Sequence, residues 1–424
     1  MSLDNTNVNN KQESGKDNKS WVPLFIAVYI ALAVEGMDFQ IASICLPVLK
    51  SDFAISQVQA GALTSYTMVG MFIGTLIAGV LSDRIGRVKV TILSLLSFSL
   101  FTFSLGFTQS YWQFAVVRFL SGFGLAAVYA IGTLLVAEYV PTKKRGLIIG
   151  TLQTGVSVGY IGAALLSAAI LPVHGWRPIF ILSILPALIS FLMLRKVKEP
   201  ASYIASKERT GSKSKQNEFK MIWRNKAVRR VFLLWAVANT ALQFGYYGAN
   251  TWLPSYLATD LGMNLKNMSL FIAGTYTAAI GGKILAGYLA DRFGRKGVWL
   301  IGGLATAVAM PLIVSYANTG NVIWLMCLFG FLYATPYAIL AAYMSESFPV
   351  EVRGTSVASM SSIGKIGSVT APLFVGFMAA QYSIGSGIAI LGIAYAICAL
   401  VPWLFIGEKV YDPSSTKEDR VHGI

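Results

Sequence analysis

Histidine is almost missing from this sequence: His174 and His422 are the only two in 424 residues. One lies in a short polar segment between apolar runs and the other near the C-terminus, so a histidine-based triad or metal centre is excluded. Cysteine is nearly as scarce. Cys45, Cys327 and Cys398 all fall inside apolar runs with no C-x-x-C pair, which removes a disulfide framework and a zinc site and leaves three packing residues. Charge is the third shortage: 12% of residues are charged, where roughly a quarter is usual in soluble proteins. With 55% hydrophobic residues and a mean hydropathy of +0.61, the chain reads as an all-α, polytopic membrane protein whose surroundings are the lipid bilayer. The net charge of +15 does not indicate nucleic acid, because the basic residues sit between apolar runs and not in a stripe.

Apolar runs near 21–46, 56–81, 90–107, 112–137, 147–171, 178–194, 231–256, 268–289, 298–316, 322–345, 354–379 and 384–406 predict twelve transmembrane helices. The run at 178–194 is the shortest. Lys and Arg alternate between loops. One set holds Lys11, Lys16, Lys19, Arg84, Arg87, Lys89, Lys143, Lys144, Arg145, the 195–230 segment, Arg292, Arg295, Lys296, Arg353 and the C-terminal tail; the other holds only Lys50, Arg177 and Lys266. This asymmetry places both termini in the cytoplasm. Residues 1–20 are polar and Asn/Lys-rich, lack the apolar core of a secretory signal, and read as a disordered tail. The basic stretch 195–230 separates two bundles, 21–194 and 231–406, and 407–424 forms a second tail.

The two bundles are copies. Gly79-x-x-x-Asp83-Arg84-x-Gly86-Arg87 recurs as Gly287-x-x-x-Asp291-Arg292-x-Gly294-Arg295, an offset of 208 residues (287 − 79). Glu138-x-x-Pro141-x-x-x-Arg145-Gly146 recurs as Glu346-x-x-Pro349-x-x-x-Arg353-Gly354 at the same offset (346 − 138). A duplicated six-span unit places a site near the midplane where the halves meet. A carboxylate with guanidinium groups at a helix end makes a breakable latch, and Gly79 and Gly287 are expected to let helices approach closely on the same face.

Five ionisable residues lie inside the spans: Glu35, Asp38, Arg118, Lys283 and Lys365. Each carboxylate at bilayer depth costs about 2.5–3.5 kcal/mol unless protonated, paired or facing water. Glu35 and Asp38, at i and i+3, share a helical face. Asp38 lies about 12 Å and Arg118 about 9 Å in from the outer ends of spans 1 and 4, at 1.5 Å per residue. An ion pair between them would keep Asp38 ionised, and a substrate carboxylate that captured Arg118 would let Asp38 take up a proton. The repeat counterpart of Arg118 is Met326, so proton chemistry is assigned to the first half. Substrate reading leans on the second half, where Gln243, Tyr247 and Asn250 share one face of span 7, Tyr333 and Tyr337 stand at i, i+4 in span 10, and Lys365 sits mid-way along span 11. The tyrosines also fit plain core packing. Lys283 lies near the end of span 8 and reads as an anchor whose stem snorkels outward.

Both G-x-x-x-D-R-x-G-R loops, Arg118-x-x-x-Gly122-x-Gly124 and the six-plus-six plan resemble the major facilitator superfamily, over about residues 21–406. Glu35-Gly36-Met37-Asp38 is similar to the D-G-x-D signature of the aromatic acid/proton symporters, with Glu in place of the first Asp. That branch also takes up organic acids such as muconate and niacin. The resemblance implies a transporter, not an enzyme, of bacterial inner-membrane type, monomeric and without a cofactor other than the coupling proton. It implies a small organic acid as cargo, Asp38 and Glu35 in proton coupling, and an inner latch built from Asp83, Arg84, Arg87, Glu138, Arg145, Asp291, Arg292, Arg295, Glu346 and Arg353. The branch commonly has Arg where this chain has Lys365, which gives a point charge instead of a bidentate fork. A neutral-sugar symporter and a drug exporter are the alternatives within the fold. Three interior cations against two acids favour an anionic cargo.

Overall fold

The computed structural model describes residues 21–140, 145–197, 199, 215–318 and 320–407; both expected tails, 1–20 and nearly all of 407–424, lie outside the described residues. In chain order the long helices are α1 Trp21–Asp52, α2 Gln57–Ile85, α3 Arg87–Leu105, α4 Tyr111–Tyr139, α5 Arg145–His174 and α6 Arg177–Leu194. The second set is α7 Lys226–Ser255, α8 Leu265–Phe293, α9 Arg295–Tyr316, α10 Val322–Glu346, α11 Val350–Gln381 and α12 Ile384–Phe405. Among the described residues eleven helices are long and apolar enough to cross a membrane. The remaining one, α7, has 30 residues but carries Arg229, Arg230, Asn239, Gln243 and Asn250, which lower its hydropathy. Its polar side chains face inward: Asn239, Gln243 and Asn250 are all buried.

Helices outrun the apolar stretches because capping side chains extend them into polar flanks. Ser56 caps α2 and forms a capping box with Gln59; Asn264 caps α8 through the Asn267 amide at 2.8 Å. The repeated Gly86 and Gly294 join α2 to α3 and α8 to α9 with φ of 113° and 92°, a region that a side chain disfavours. Part of the expected linker is also ordered. Lys215–Arg224 forms a short helix with Ile222 fully buried, and Glu199 accepts hydrogen bonds from the amides of Arg87 (2.9 Å), Val88 (3.2 Å) and Lys89 (3.2 Å), placing a carboxylate on the positive end of α3.

Within the first half α1 packs on α5, and α4 on α2 and α3; within the second α7 packs on α11 and α12, and α8 on α10. The repeat is visible atom by atom. A Cβ on Gly122 would meet Thr67 O at 2.4 Å, and one on its copy Gly330 would meet the copy, Thr275 O, at 2.0 Å. These backbones touch where small residues allow it, as membrane helices without a hydrophobic driving force must. Gly330→Val is therefore expected to force α8 and α10 apart, at about 1–3 kcal/mol or more for overpacking, read as a lower midpoint of thermal unfolding in detergent. Gly79 and Gly287, expected to serve the same purpose, have nothing within 4 Å of an added Cβ and make no close approach.

The halves meet along α2–α11 and α5–α8, with α1 touching α7 between them. Contact is closest at the start of α2: a Cβ on Gly61 would lie 2.3 Å from Pro372 O, and Ser65 Oγ donates to Val369 O at 2.7 Å. Toward the α2–α3 loop the approach loosens, and Gly79 is free. Exposed surfaces of the helices carry apolar side chains such as Leu76, Leu100, Val116, Ile301 and Trp324.

Candidate functional site

Asp38 comes from the second half of α1 and Arg118 from α4, and they pair. Arg118 Nη1 donates to Asp38 Oδ2 at 2.9 Å, with the two side chains 1% and 2% exposed. Thr102 Oγ1 of α3 donates to Asp38 Oδ1 at 2.5 Å. No sequence signal marks Thr102, since a threonine in an apolar span ordinarily bonds its own backbone. Both carboxylate oxygens are thus held, whereas among the described residues Arg118 Nε and Nη2 have no partner. Arg118, expected to bind substrate carboxylate, is covered and already engaged here, because the α1–α4 contact shuts it behind Asp38.

Glu35, one turn before Asp38, is 9% exposed, and among the described residues its Oε2 has no hydrogen-bond partner. Its charge interacts first with Lys365 of α11 and then with Asp38. Lys365 Nζ also donates to Thr75 Oγ1 of α2 at 2.7 Å. Asp38 is thus held within the first half, while Glu35 lies within electrostatic reach of a cation supplied by the second. Lys283 does not snorkel outward. Its Nζ donates to Ser157 Oγ of α5 at 2.8 Å, across the interface of the halves.

The second half contributes an aromatic box. Tyr246 stacks on Tyr333 (5.1 Å between ring centroids) and Tyr337 (4.5 Å). From the first half Phe39 meets Tyr247 at 5.4 Å, and Tyr160 meets Tyr276 at 4.7 Å. Asn250 Oδ1 accepts from Tyr276 (2.7 Å) and Tyr333 (3.1 Å). Tyr276 Oη also lies 2.8 Å from Gln40 Oε1, and its single proton serves one acceptor. Turning the Gln40 amide over lets Nε2, otherwise without a partner, donate to Tyr276, which then donates to Asn250. Gln243 and Tyr247 both lie close enough to Tyr337 to act on its hydroxyl. The five polar and aromatic residues expected to read substrate, Gln243, Tyr247, Asn250, Tyr333 and Tyr337, are brought together. Sequence reasoning missed Gln40, Tyr160, Tyr246 and Tyr276; only Tyr246, next to Tyr247, stood in a stretch already singled out.

At the far end Arg87 pairs with Glu138 and its repeat copy Arg295 with Glu346 (3.4 Å) and Asp291. These bonds tie α3 to α4, and α9 to both α10 and α8. Arg84 is exposed, Arg292 Nη1 donates to Tyr288 Oη at 3.3 Å, and Arg353 Nε donates to Phe348 O at 3.3 Å. The side chains of Asp83 and Arg145 lie outside what the structure describes. Among the described residues no ion pair crosses from one half to the other, so the latch charges work here inside each half.

A family model described as the Major Facilitator Superfamily matches residues 28–282 and 242–422. The chain belongs to the major facilitator superfamily. It is thus a multi-pass membrane transporter and not an enzyme. A cis,cis-muconate transport protein of Acinetobacter baylyi is 44% identical over 96% of this chain and 99% of its own length. A benzoate transport protein of the same organism is 27% identical over 88% of this chain and 86% of its own. The crystal structure of a D-xylose-proton symporter superposes with a TM-score of 0.78 at 20% identity, covering 91% of this chain and 98% of that one, and shows the shared fold.

Proposed function

We propose that this transporter takes up a small organic anion, an aromatic acid or an unsaturated dicarboxylate such as cis,cis-muconate, together with protons by alternating access. The observation that carries this reading is the buried ion pair of Asp38 with Arg118 at 2.9 Å, with Glu35 one turn before Asp38 and within electrostatic reach of Lys365. Likeness to the muconate transport protein supports the cargo class. An arriving carboxylate competes with Glu35 for Lys365 and adds negative charge beside Asp38. Both changes favour a proton on the protein's carboxylates, Asp38 being the main carrier. Proton and anion then travel together because each lowers the electrostatic cost of the other. Arg118 acts through Asp38, its two free donors being available once Asp38 is protonated. The aromatic box offers flat faces to a ring or a conjugated chain.

Positive loops assign both termini, the α2–α3 loop and the α8–α9 loop to the cytoplasm of a bacterial inner membrane. On that assignment the tight Gly61–Pro372 end faces outward and the conformation is closed to the outside. The bundles 21–194 and 231–406 rock as units about α2–α11 and α5–α8, and one chain suffices for a complete pathway.

Uptake of radiolabelled cis,cis-muconate, benzoate, nicotinate and a hexose into proteoliposomes, with and without an inward proton gradient, tests the reading. Gradient-driven accumulation of at least one acid is expected. Accumulation of the hexose alone, or uptake indifferent to the gradient, would overturn it.

A further inference from the structure

Two lysines of the second half reach hydroxyls of the first, and the internal repeat relates the two contacts. Lys365 donates to Thr75 (2.7 Å) and Lys283 to Ser157 (2.8 Å). Moved by the 208-residue offset, Lys283 falls on Thr75 (283 − 208) and Lys365 on Ser157 (365 − 208). The Lys–hydroxyl contact on α2–α11 is therefore the pseudo-two-fold mate of that on α5–α8. Two ammonium groups stand at matching depth on opposite sides of the axis where α1 meets α7. Each lysine keeps part of its surface accessible, unlike Arg118 at 1%.

Their charge environments differ. Arg118 pairs with Asp38, and Lys365 has the Glu35 carboxylate within electrostatic reach. Among the described residues Lys283 has Ser157 Oγ as its hydrogen-bond partner and no carboxylate. The excess interior cation is thus located: it is Lys283. An ammonium inside a membrane protein whose protein partner is neutral leaves its charge uncompensated by the protein, a cost that a carboxylate would relieve.

We propose that Lys283 is a specificity-determining residue that binds one carboxylate of a dicarboxylate cargo while Lys365 binds the other. This rests on the organic-anion reading and narrows it. Anions with a single carboxylate satisfy one lysine only. A conjugated dicarboxylate reaches across the pseudo-two-fold axis, past the aromatic box, and satisfies both.

The test compares Lys283→Met, Lys283→Gln and Lys283→Arg with the unsubstituted transporter in proteoliposomes, using cis,cis-muconate and benzoate, together with thermal unfolding in detergent. In Lys283→Met and Lys283→Gln the ratio of the muconate KM to the benzoate KM is expected to rise at least tenfold. Lys283→Arg, which keeps the charge, restores most of it. Without ligand, Lys283→Met is expected to unfold at a higher temperature, because an uncompensated charge is gone, and muconate no longer stabilises it. A purely structural clasp to Ser157 would instead lower that temperature and leave the KM ratio unchanged; that result overturns the proposal. A test on unsubstituted protein stands beside the variants: dicarboxylates of increasing chain length compete against labelled muconate. A sharp optimum in length supports two fixed cations, and no advantage over benzoate at any length refutes them. Failure of the unsubstituted protein to carry either acid would overturn the organic-anion reading itself, and this proposal with it.

Discussion

Asp38→Asn is expected to abolish gradient-driven accumulation of the transported acid, to less than about a hundredth of the normal level. Asparagine keeps the shape and can still accept from Thr102, but it cannot carry a proton through the cycle. The same change leaves Arg118 buried with no counter-charge. Breaking a buried pair by removing one partner destabilises by about 3–5 kcal/mol, so a lower yield of folded protein must be separated from lost coupling. The double variant Asp38→Asn with Arg118→Met removes both charges and is expected to recover thermal stability without recovering accumulation. Recovery of accumulation in the double variant, measured in proteoliposomes with an inward proton gradient, would show that Asp38 serves only to neutralise Arg118.

Lys365→Gln is expected to raise the KM for every transported acid by about 10–100-fold, the range that corresponds to losing a charge-assisted hydrogen bond of about 1.5–3 kcal/mol. The variant also frees Glu35 from the cation that faces it. The dependence of uptake on the proton gradient is then expected to weaken along with affinity. Lys365→Arg supplies the charge in a wider fork and is expected to recover affinity in part, with an altered order of preference among acids. An unchanged KM in Lys365→Gln, measured by initial rates of uptake, would remove the lysine from the binding site.

Much of this was legible in the chain because its signals are local or periodic. Apolar length marks the spans, loop charge marks orientation, and a fixed offset marks duplication, none of which requires knowing how helices touch. The Asp38–Arg118 pair was nearly legible: depth along each helix follows from residue count, and both fell at similar depth. Rotation about the helix axis does not follow from count. Lys283 shows the difference, since its distance from the end of span 8 suggested an anchor at the membrane surface, whereas packing of α8 on α5 aims it at Ser157. The latch charges show it too. Their spacing identified them, but only the arrangement of helices directs Arg87 to Glu138 and Arg295 to Glu346 within their own halves.

By itself, then, the sequence determined the class of molecule, its twelve-helix duplicated plan, the five interior charges and the excess of cation over anion, because composition and periodicity are properties of the chain alone. Tertiary structure decided which charges meet. It set Thr102 beside Asp38, brought Glu35 within electrostatic reach of Lys365, gathered Tyr160, Tyr246 and Tyr276 into one box, and, among the described residues, left Lys283 without an acid. Those outcomes depend on helix rotation and close approach, which are fixed by contacts between residues tens to hundreds of positions apart.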